Sequence, residues 1–138
     1  MKKAYCYLLI LLCIACDSET APDCFQLAGE TVQIPIALPN FTKIRMEHNV
    51  SLEIKQGQNQ EVILETGENL LSDVLVYVTD GVLVLRDNNS CNYVRDFGTT
   101  KVIVTTPNVT EIRNGSSYNV LGKGVLNFPD LRLISNTT

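Results

Sequence analysis

The sequence has 138 residues, 45% of them hydrophobic and 19% charged, with a formal net charge of −4. That length indicates one domain, and the apolar fraction supports a packed core rather than bulk disorder. With no tryptophan, one histidine (His48) and no basic patch interleaved with aromatics, the chain argues against a nucleic-acid partner and excludes several common metal and acid–base arrangements.

The first stretch reads as a targeting segment, residues 1–15. Lys2 and Lys3 form a basic start, and Leu8-Leu9-Ile10-Leu11-Leu12 is an apolar run too short for an ordinary membrane span of roughly 20 residues. It ends at Cys13-Ile14-Ala15-Cys16, which resembles a bacterial lipobox with Cys16 as the lipidated residue. Cys13 stands where a leucine is usual. The competing reading is an ordinary signal peptide with a stray cysteine. Residues 16–23 then form a polar, lipid-anchored tether, and residues 24–138 form the domain. Removing Lys2 and Lys3 leaves nine basic against fifteen acidic residues, a net charge of −6. Cys6 and Cys13 leave with the signal. Cys24 and Cys91 then remain in an oxidising compartment, where a disulfide between them is expected and two free thiols are the alternative.

Residues 31–38 alternate apolar and polar before Pro39, a strand pattern, and residues 50–57 repeat it more cleanly, with Val50, Leu52 and Ile54 toward the core. Residues 61–66 form the next strand. Residues 67–73 are the one place for a helical turn, too short to be stable alone. Two β-rich runs, 74–79 and 82–86, flank Asp80-Gly81, which permits the positive φ angles of a two-residue hairpin turn. A corner between successive faces of a solenoid is the other reading of that pair. Residues 87–98 are a polar excursion, and the strand pattern resumes over 101–106.

A repeat runs through the chain. Pro39-Asn40-Phe41-Thr42-Lys43-Ile44-Arg45 matches Pro107-Asn108-Val109-Thr110-Glu111-Ile112-Arg113, with a weaker copy at Pro129-Asp130-Leu131-Arg132-Leu133-Ile134-Ser135. The spacings are 68 and 22 residues, so the longer is close to three times the shorter. Such periods mark repeat architectures. The fold expected from it is all-β, a β-solenoid of turns and strands stacked in rungs of about 22 residues. Its last rung, near Leu126, Phe128, Leu131, Leu133 and Ile134, has a poor cap in Ser135-Asn136-Thr137-Thr138. This implies a truncated domain or an end that pairs with another chain.

Asn89-Ser90-Cys91-Asn92-Tyr93-Val94-Arg95, the strand into Pro107-Asn108-Val109-Thr110-Glu111-Ile112, and the step Gly115-Ser116-Ser117 resemble the head GIN domain, as do Asp23-Cys24-Phe25-Gln26 and Gly67-Glu68-Asn69-Leu70-Leu71. The resemblance covers roughly 23–138. It implies that the solenoid is a right-handed parallel β-helix, and that the protein is a lipoprotein or secreted adhesin of Bacteroidetes type. Tyr93 stands where relatives often carry tryptophan, and relatives commonly continue for several more rungs.

No catalytic constellation is visible. His48 reads as solvated, and Asp80, Asp87, Arg95, Asp96 and Lys101, the candidates for a carbohydrate-active β-helix, show no motif spacing. Six Asn-x-Ser/Thr sites, at Asn40, Asn49, Asn88, Asn108, Asn114 and Asn136, read as polar turn residues in a bacterial lipoprotein. No cofactor or metal is expected. The function expected is a non-enzymatic lipoprotein of the bacterial outer membrane or cell surface, with a periplasmic or secreted form as the alternative. It would act as an adhesin or binding module for a glycan, envelope polymer or protein. The alternatives are a structural protein assembling through its open end and a β-helix carbohydrate enzyme. Loops carry recognition on such scaffolds, so the ligand-binding candidates are Asn92, Tyr93 and Arg95 in the 91–97 excursion and Asn114, Ser116 and Ser117 in the 114–117 step. Turn chemistry is the competing reading for both.

Overall fold

The computed structural model describes residues 22–136. The signal segment, Cys16 and most of the tether lie outside the described residues. Apart from two short 3-10 helices, Asp23–Phe25 and Glu68–Asp73, the regular structure is ten strands. They are β1 (Thr31–Pro35), β2 (Lys43–Met46), β3 (Ser51–Gln56), β4 (Glu61–Gly67), β5 (Val74–Thr79), β6 (Val82–Asp87), β7 (Lys101–Thr106), β8 (Glu111–Asn114), β9 (Val120–Lys123) and β10 (Arg132–Ser135). Sheet one has the order β1-β4-β7-β3-β9, and sheet two has the order β10-β8-β2-β6-β5.

The expected right-handed parallel β-helix with 22-residue rungs does not form. Both sheets mix parallel with antiparallel pairs: β1 with β4, β4 with β7, and β5 with β6 run antiparallel. One cause is local. Asp80 and Gly81 both take positive φ (51° and 73°), so the chain reverses in two residues and Thr79 pairs with Val82. Asp80-Gly81 is therefore a hairpin turn and not a rung corner.

The repeat has a different meaning from the one its spacing suggested. β2 and β8 are direct neighbours in parallel register, Lys43 opposite Glu111, and β3 and β9 keep the same 68-residue offset, Leu52 opposite Val120. What recurs is thus a pair of strands, one added to each sheet. The residues between the copies do not form intervening rungs. They supply β4 to β7: β6 lies parallel beside β2 and β7 parallel beside β3, while β4 and β5 add antiparallel.

The alternation of β2, β3, β4, β6, β7 and β8 turns one side of each strand inward. Ile44, Met46, Leu83, Leu85 and Ile112 from sheet two meet Leu52, Ile54, Val62, Leu64, Val102 and Val104 from sheet one in a single core. Phe41, Val109 and Phe128 close it from the connections. On the outer face of sheet two, Glu47 pairs with Arg45 and Arg86, and Glu111 with Arg113 and Arg132.

Candidate functional site

The polar excursion after β6 is held by two anchors. The first is covalent: Cys24 and Cys91 are disulfide-bonded, as the cysteine count led one to expect. Beside it the Asp23 carboxylate accepts hydrogen bonds from the backbone N–H of Ser90 (3.0 Å) and Cys91 (3.0 Å) and from Arg95 Nη2 (2.5 Å). Arg95 Nη1 donates to the carbonyls of Asp23 (2.7 Å) and Gln26 (2.9 Å). Burial works to raise the Asp23 carboxyl. The hydrogen bonds from Arg95, Cys91 and Ser90 outweigh it and hold the group below its ordinary value of 3.8.

The second anchor is Asp87, the last residue of β6, which is 3% exposed. Its carboxylate accepts from the Asn89 backbone N–H (2.8 Å), Asn89 Nδ2 (2.6 Å) and Thr100 Oγ1 (2.5 Å). The Thr100 hydroxyl also bonds that of Thr66, at 2.8 Å. A buried carboxylate without a cation beside it is tolerable only when its lone pairs are filled in this way. Asn49, at φ 51°, reaches in from the β2–β3 turn, and its Nδ2 donates to the Asn89 carbonyl at 3.2 Å.

Between these anchors lies a cleft of ≈ 40 Å³, lined in part by Asn49, Asn89, Asn92, Phe97 and Tyr118. That volume admits one small polar group. Two acceptors in it are unused: Asn89 Oδ1 and Asn92 Oδ1 are buried and have no hydrogen-bond partner. Asn89 as a whole is 6% exposed. At the rim, Phe97 is 74% exposed, an unusual setting for a phenylalanine.

The six residues singled out from the sequence divide accordingly. Asn92 and Arg95 line the cleft, with the Arg95 guanidinium committed to the N-terminal segment. Tyr93 is exposed and lies against Phe25, their ring centroids 6.0 Å apart. In the 114–117 step, Asn114 Oδ1 accepts from Ser116 N–H (2.9 Å), Asn114 Nδ2 donates to the Tyr118 carbonyl (3.0 Å), and Ser116 Oγ accepts from Tyr118 N–H (3.2 Å). Ser117 is exposed. This turn aims Tyr118 at the excursion, where its ring packs against Gly98 so closely that a Cβ there would collide with it. The two regions picked out separately from the sequence thus meet, through Tyr118. Phe97 ends the 91–97 excursion already taken as a contact feature, whereas Asn49, Asn89 and Tyr118 were not singled out as contacts. The available signals were Asn49 standing in a turn and an aromatic next to Gly98.

Of the acids and bases considered for an enzyme, Asp87 and Arg95 both line the cleft, and Asp80, Asp96 and Lys101 do not. Asp80 sits in the hairpin turn before β6, Asp87 is buried at the far end of that strand, and Lys101 pairs with Glu65 at 2.5 Å. His48 is exposed. Among the described residues no group of three His, Cys, Asp or Glu side chains could hold a metal ion, and no helix is long and apolar enough to cross a membrane.

A family model described as "Putative auto-transporter adhesin, head GIN domain" matches residues 40–138. No curated protein matches the chain. Among solved structures, a "putative adhesin" of Parabacteroides merdae aligns with TM-score 0.62 at 16% identity, over 78% of this chain and 44% of that one. A "putative adhesin" of Bacteroides fragilis gives 0.55 at 18% identity, over 70% and 43%. A "Putative lipid binding protein" of Parabacteroides distasonis gives 0.52 at 16% identity, over 67% and 41%. The chain spans less than half the length of these structures, and at such identities the likeness is one of fold.

Proposed function

The chain belongs to the head GIN domain family, and on that premise we propose that it is a non-enzymatic binding module of the bacterial cell envelope that holds a glycan at the cleft beside the 88–100 loop. The observation that carries this reading is a pair of buried acceptors without partners, Asn89 Oδ1 and Asn92 Oδ1, on residues that line the cleft together with the exposed Phe97. A sugar supplies what they lack: hydroxyl donors for the oxygens and an apolar ring face for Phe97. A cleft of ≈ 40 Å³ takes one such hydroxyl, so the rest of the ligand would lie on the surface, as adhesion to a polymer requires. The family's description as an adhesin supports the same class of function. The sequence around Cys16 supports attachment by a lipid anchor.

The test is a glycan array and an envelope pull-down with soluble protein beginning at Asp17, repeated with Asn92→Ala and Phe97→Ala. Binding by the parent protein that falls about tenfold or more in each variant is expected. No binding by the parent, or equal binding by both variants, would count against the cleft. Lipidation is checked separately, by incorporation of labelled palmitate that Cys16→Ala abolishes.

A further inference from the structure

Charge is spread unevenly over this molecule. Strand alternation turns Lys43 and Arg45 of β2, Arg86 of β6, Arg113 of β8 and Arg132 of β10 to the outer face of sheet two. They are five of the nine basic residues beyond the signal segment. Two carboxylates, Glu47 and Glu111, stand among them, so this face carries +3. The chain after the signal segment carries −6, which leaves −9 on the rest. The outer face of sheet one, by contrast, balances Lys55, Lys101 and Lys123 against Glu53, Glu61 and Glu65.

Arg45 and Arg113 are register partners on adjacent parallel strands. Like charges side by side on one sheet face cost stability. The ion pairs around them do not remove the excess. Glu47 is shared by Arg45 and Arg86, and Glu111 by Arg113 and Arg132, so each carboxylate leaves one guanidinium charge unbalanced. The Arg45 and Arg113 side chains stay reachable at 43% and 42% exposure, above glutamates at 19% and 21%. A groove of ≈ 430 Å³, within the range of small-ligand sites, is lined by Lys43, Arg45, Val82, Glu111 and Arg113. The row holding both arginines continues through the buried Val84 to Tyr77 on β5, which is 41% exposed.

We infer that the outer face of sheet two binds an acidic polysaccharide, with its carboxylates on Arg45 and Arg113 and a sugar ring face on Tyr77. A guanidinium takes a carboxylate through two parallel hydrogen bonds, and an aromatic ring takes an apolar sugar face. The charge pattern selects this polyanion. An anionic membrane would repel the acidic remainder of the molecule within a Debye length of about 8 Å. A nucleic acid presents a phosphate at every nucleotide and bases to stack, which calls for more cations and aromatics than this face holds. An acidic polysaccharide spaces its carboxylates among hydroxyls and ring faces. The inference rests on the reading of the protein as a glycan-binding module and adds the charge of the glycan. Arg45 stands four residues before Asn49, Arg86 one before Asp87 and Arg113 five before Tyr118, so these strands lead into the turns that line the cleft.

The test is calorimetric titration of the protein beginning at Asp17 with polygalacturonate, at low and at physiological salt. Binding that weakens as salt rises is expected. Arg45→Gln with Arg113→Gln should weaken it about tenfold or more. Lys55 and Lys123 are register partners on the balanced face, so Lys55→Gln with Lys123→Gln removes the same charge and should change binding less than about twofold. All four side chains are well exposed, so both variants should keep their circular dichroism. Should the double arginine variant fail to fold, the single variants decide, each with an expected loss of about threefold or more. No binding by the parent, equal binding of the methyl-esterified polymer, or equal losses from the arginine and lysine pairs would overturn the inference. So would equal binding of single-stranded DNA or phosphatidylglycerol vesicles. Loss with the arginine variants but not with Asn92→Ala keeps this face and removes the cleft, and the reverse result keeps the cleft and removes this face.

Discussion

The two ends of this molecule are built from the same kind of strand and finished in opposite ways. At the β1/β5 end, the 3-10 helix Glu68–Asp73 crosses from β4 in sheet one to β5 in sheet two and drops Leu70 into the interior at 0% exposure. The segment before β1 lies against this helix. Gln26 Nε2 donates to the Asn69 carbonyl (2.7 Å), Asn69 Nδ2 to the Leu27 carbonyl (3.2 Å), and Glu68 N–H to the Glu30 carbonyl (2.9 Å). The Cys24–Cys91 bond and the Asp23–Arg95 pair then fasten that segment to the loop after β6. At the β9/β10 end the connection from β9 in sheet one to β10 in sheet two brings Leu126, Phe128 and Leu131 to the core, yet Leu133 stands 68% exposed in the core row of Leu83, Ile44 and Ile112. A sheet edge closes only when something other than its own strands covers it. The closed end uses chain from two distant parts of the sequence, whereas among the described residues the other end has the β9–β10 connection alone.

That contrast can be broken most strongly by truncating one leucine at each end. Leu70→Ala should cost about 2–5 kcal/mol of unfolding free energy, the usual range for a leucine lost from a packed core. Leu133→Ala, measured in dilute protein by urea denaturation, should cost less than about 0.5 kcal/mol, as surface changes do. Equal costs would mean that the open end is covered in the monomer.

Removing the cross-link comes next. Cys24→Ser with Cys91→Ser should lower stability by about 2–4 kcal/mol, the typical effect of a disulfide across a long loop. Proteolysis should then begin in residues 22–30 and 88–100 and leave β8 to β10 intact. Cleavage that starts at β9 or β10 would reverse the comparison.

A smaller effect separates the ends by pH. Asp23 is held below its ordinary value despite burial, through Arg95 and the Cys91 and Ser90 amides. Glu65, bonded first by Lys101 and then by Gln33, is held down as well. A carboxyl depressed in the folded state contributes stability that is fully present above its unfolded value. That contribution is lost as pH falls through the folded value. Stability should therefore fall in acid below about pH 4, and Asp23→Asn should flatten part of that fall while leaving the neutral-pH midpoint lower. An unchanged acid limb would show that the Asp23–Arg95 pair does not hold the segment.

How much of this was legible in the sequence follows from the range of the interactions involved. Strand positions, the Asp80-Gly81 turn and the short helix at 68–73 are set by neighbours in the chain, and reading them locally succeeded. The cysteine pair followed from counting. Sheet order did not follow. Nothing in β4 announces that it lies antiparallel between β1 and β7, because Glu65 meets Gln33 on one side and Lys101 on the other only through long-range pairing. The Pro-Asn repeat was real as a pattern, but its spacing measured distance along the chain and not the number of strands between the copies. The cleft was half legible. Asn92 and Arg95 stood in a conspicuous loop, whereas Asn49 and Tyr118 reach it from remote turns.

The most direct test of the contrast between the two ends is amide hydrogen exchange followed residue by residue at low and high protein concentration. The Leu133 amide should exchange quickly in dilute protein, while those of Ile44 and Leu83 on the same row stay protected. Strong protection at Leu133, equal to that of Ile44 and Leu83, would contradict the account of an uncovered core row at this end.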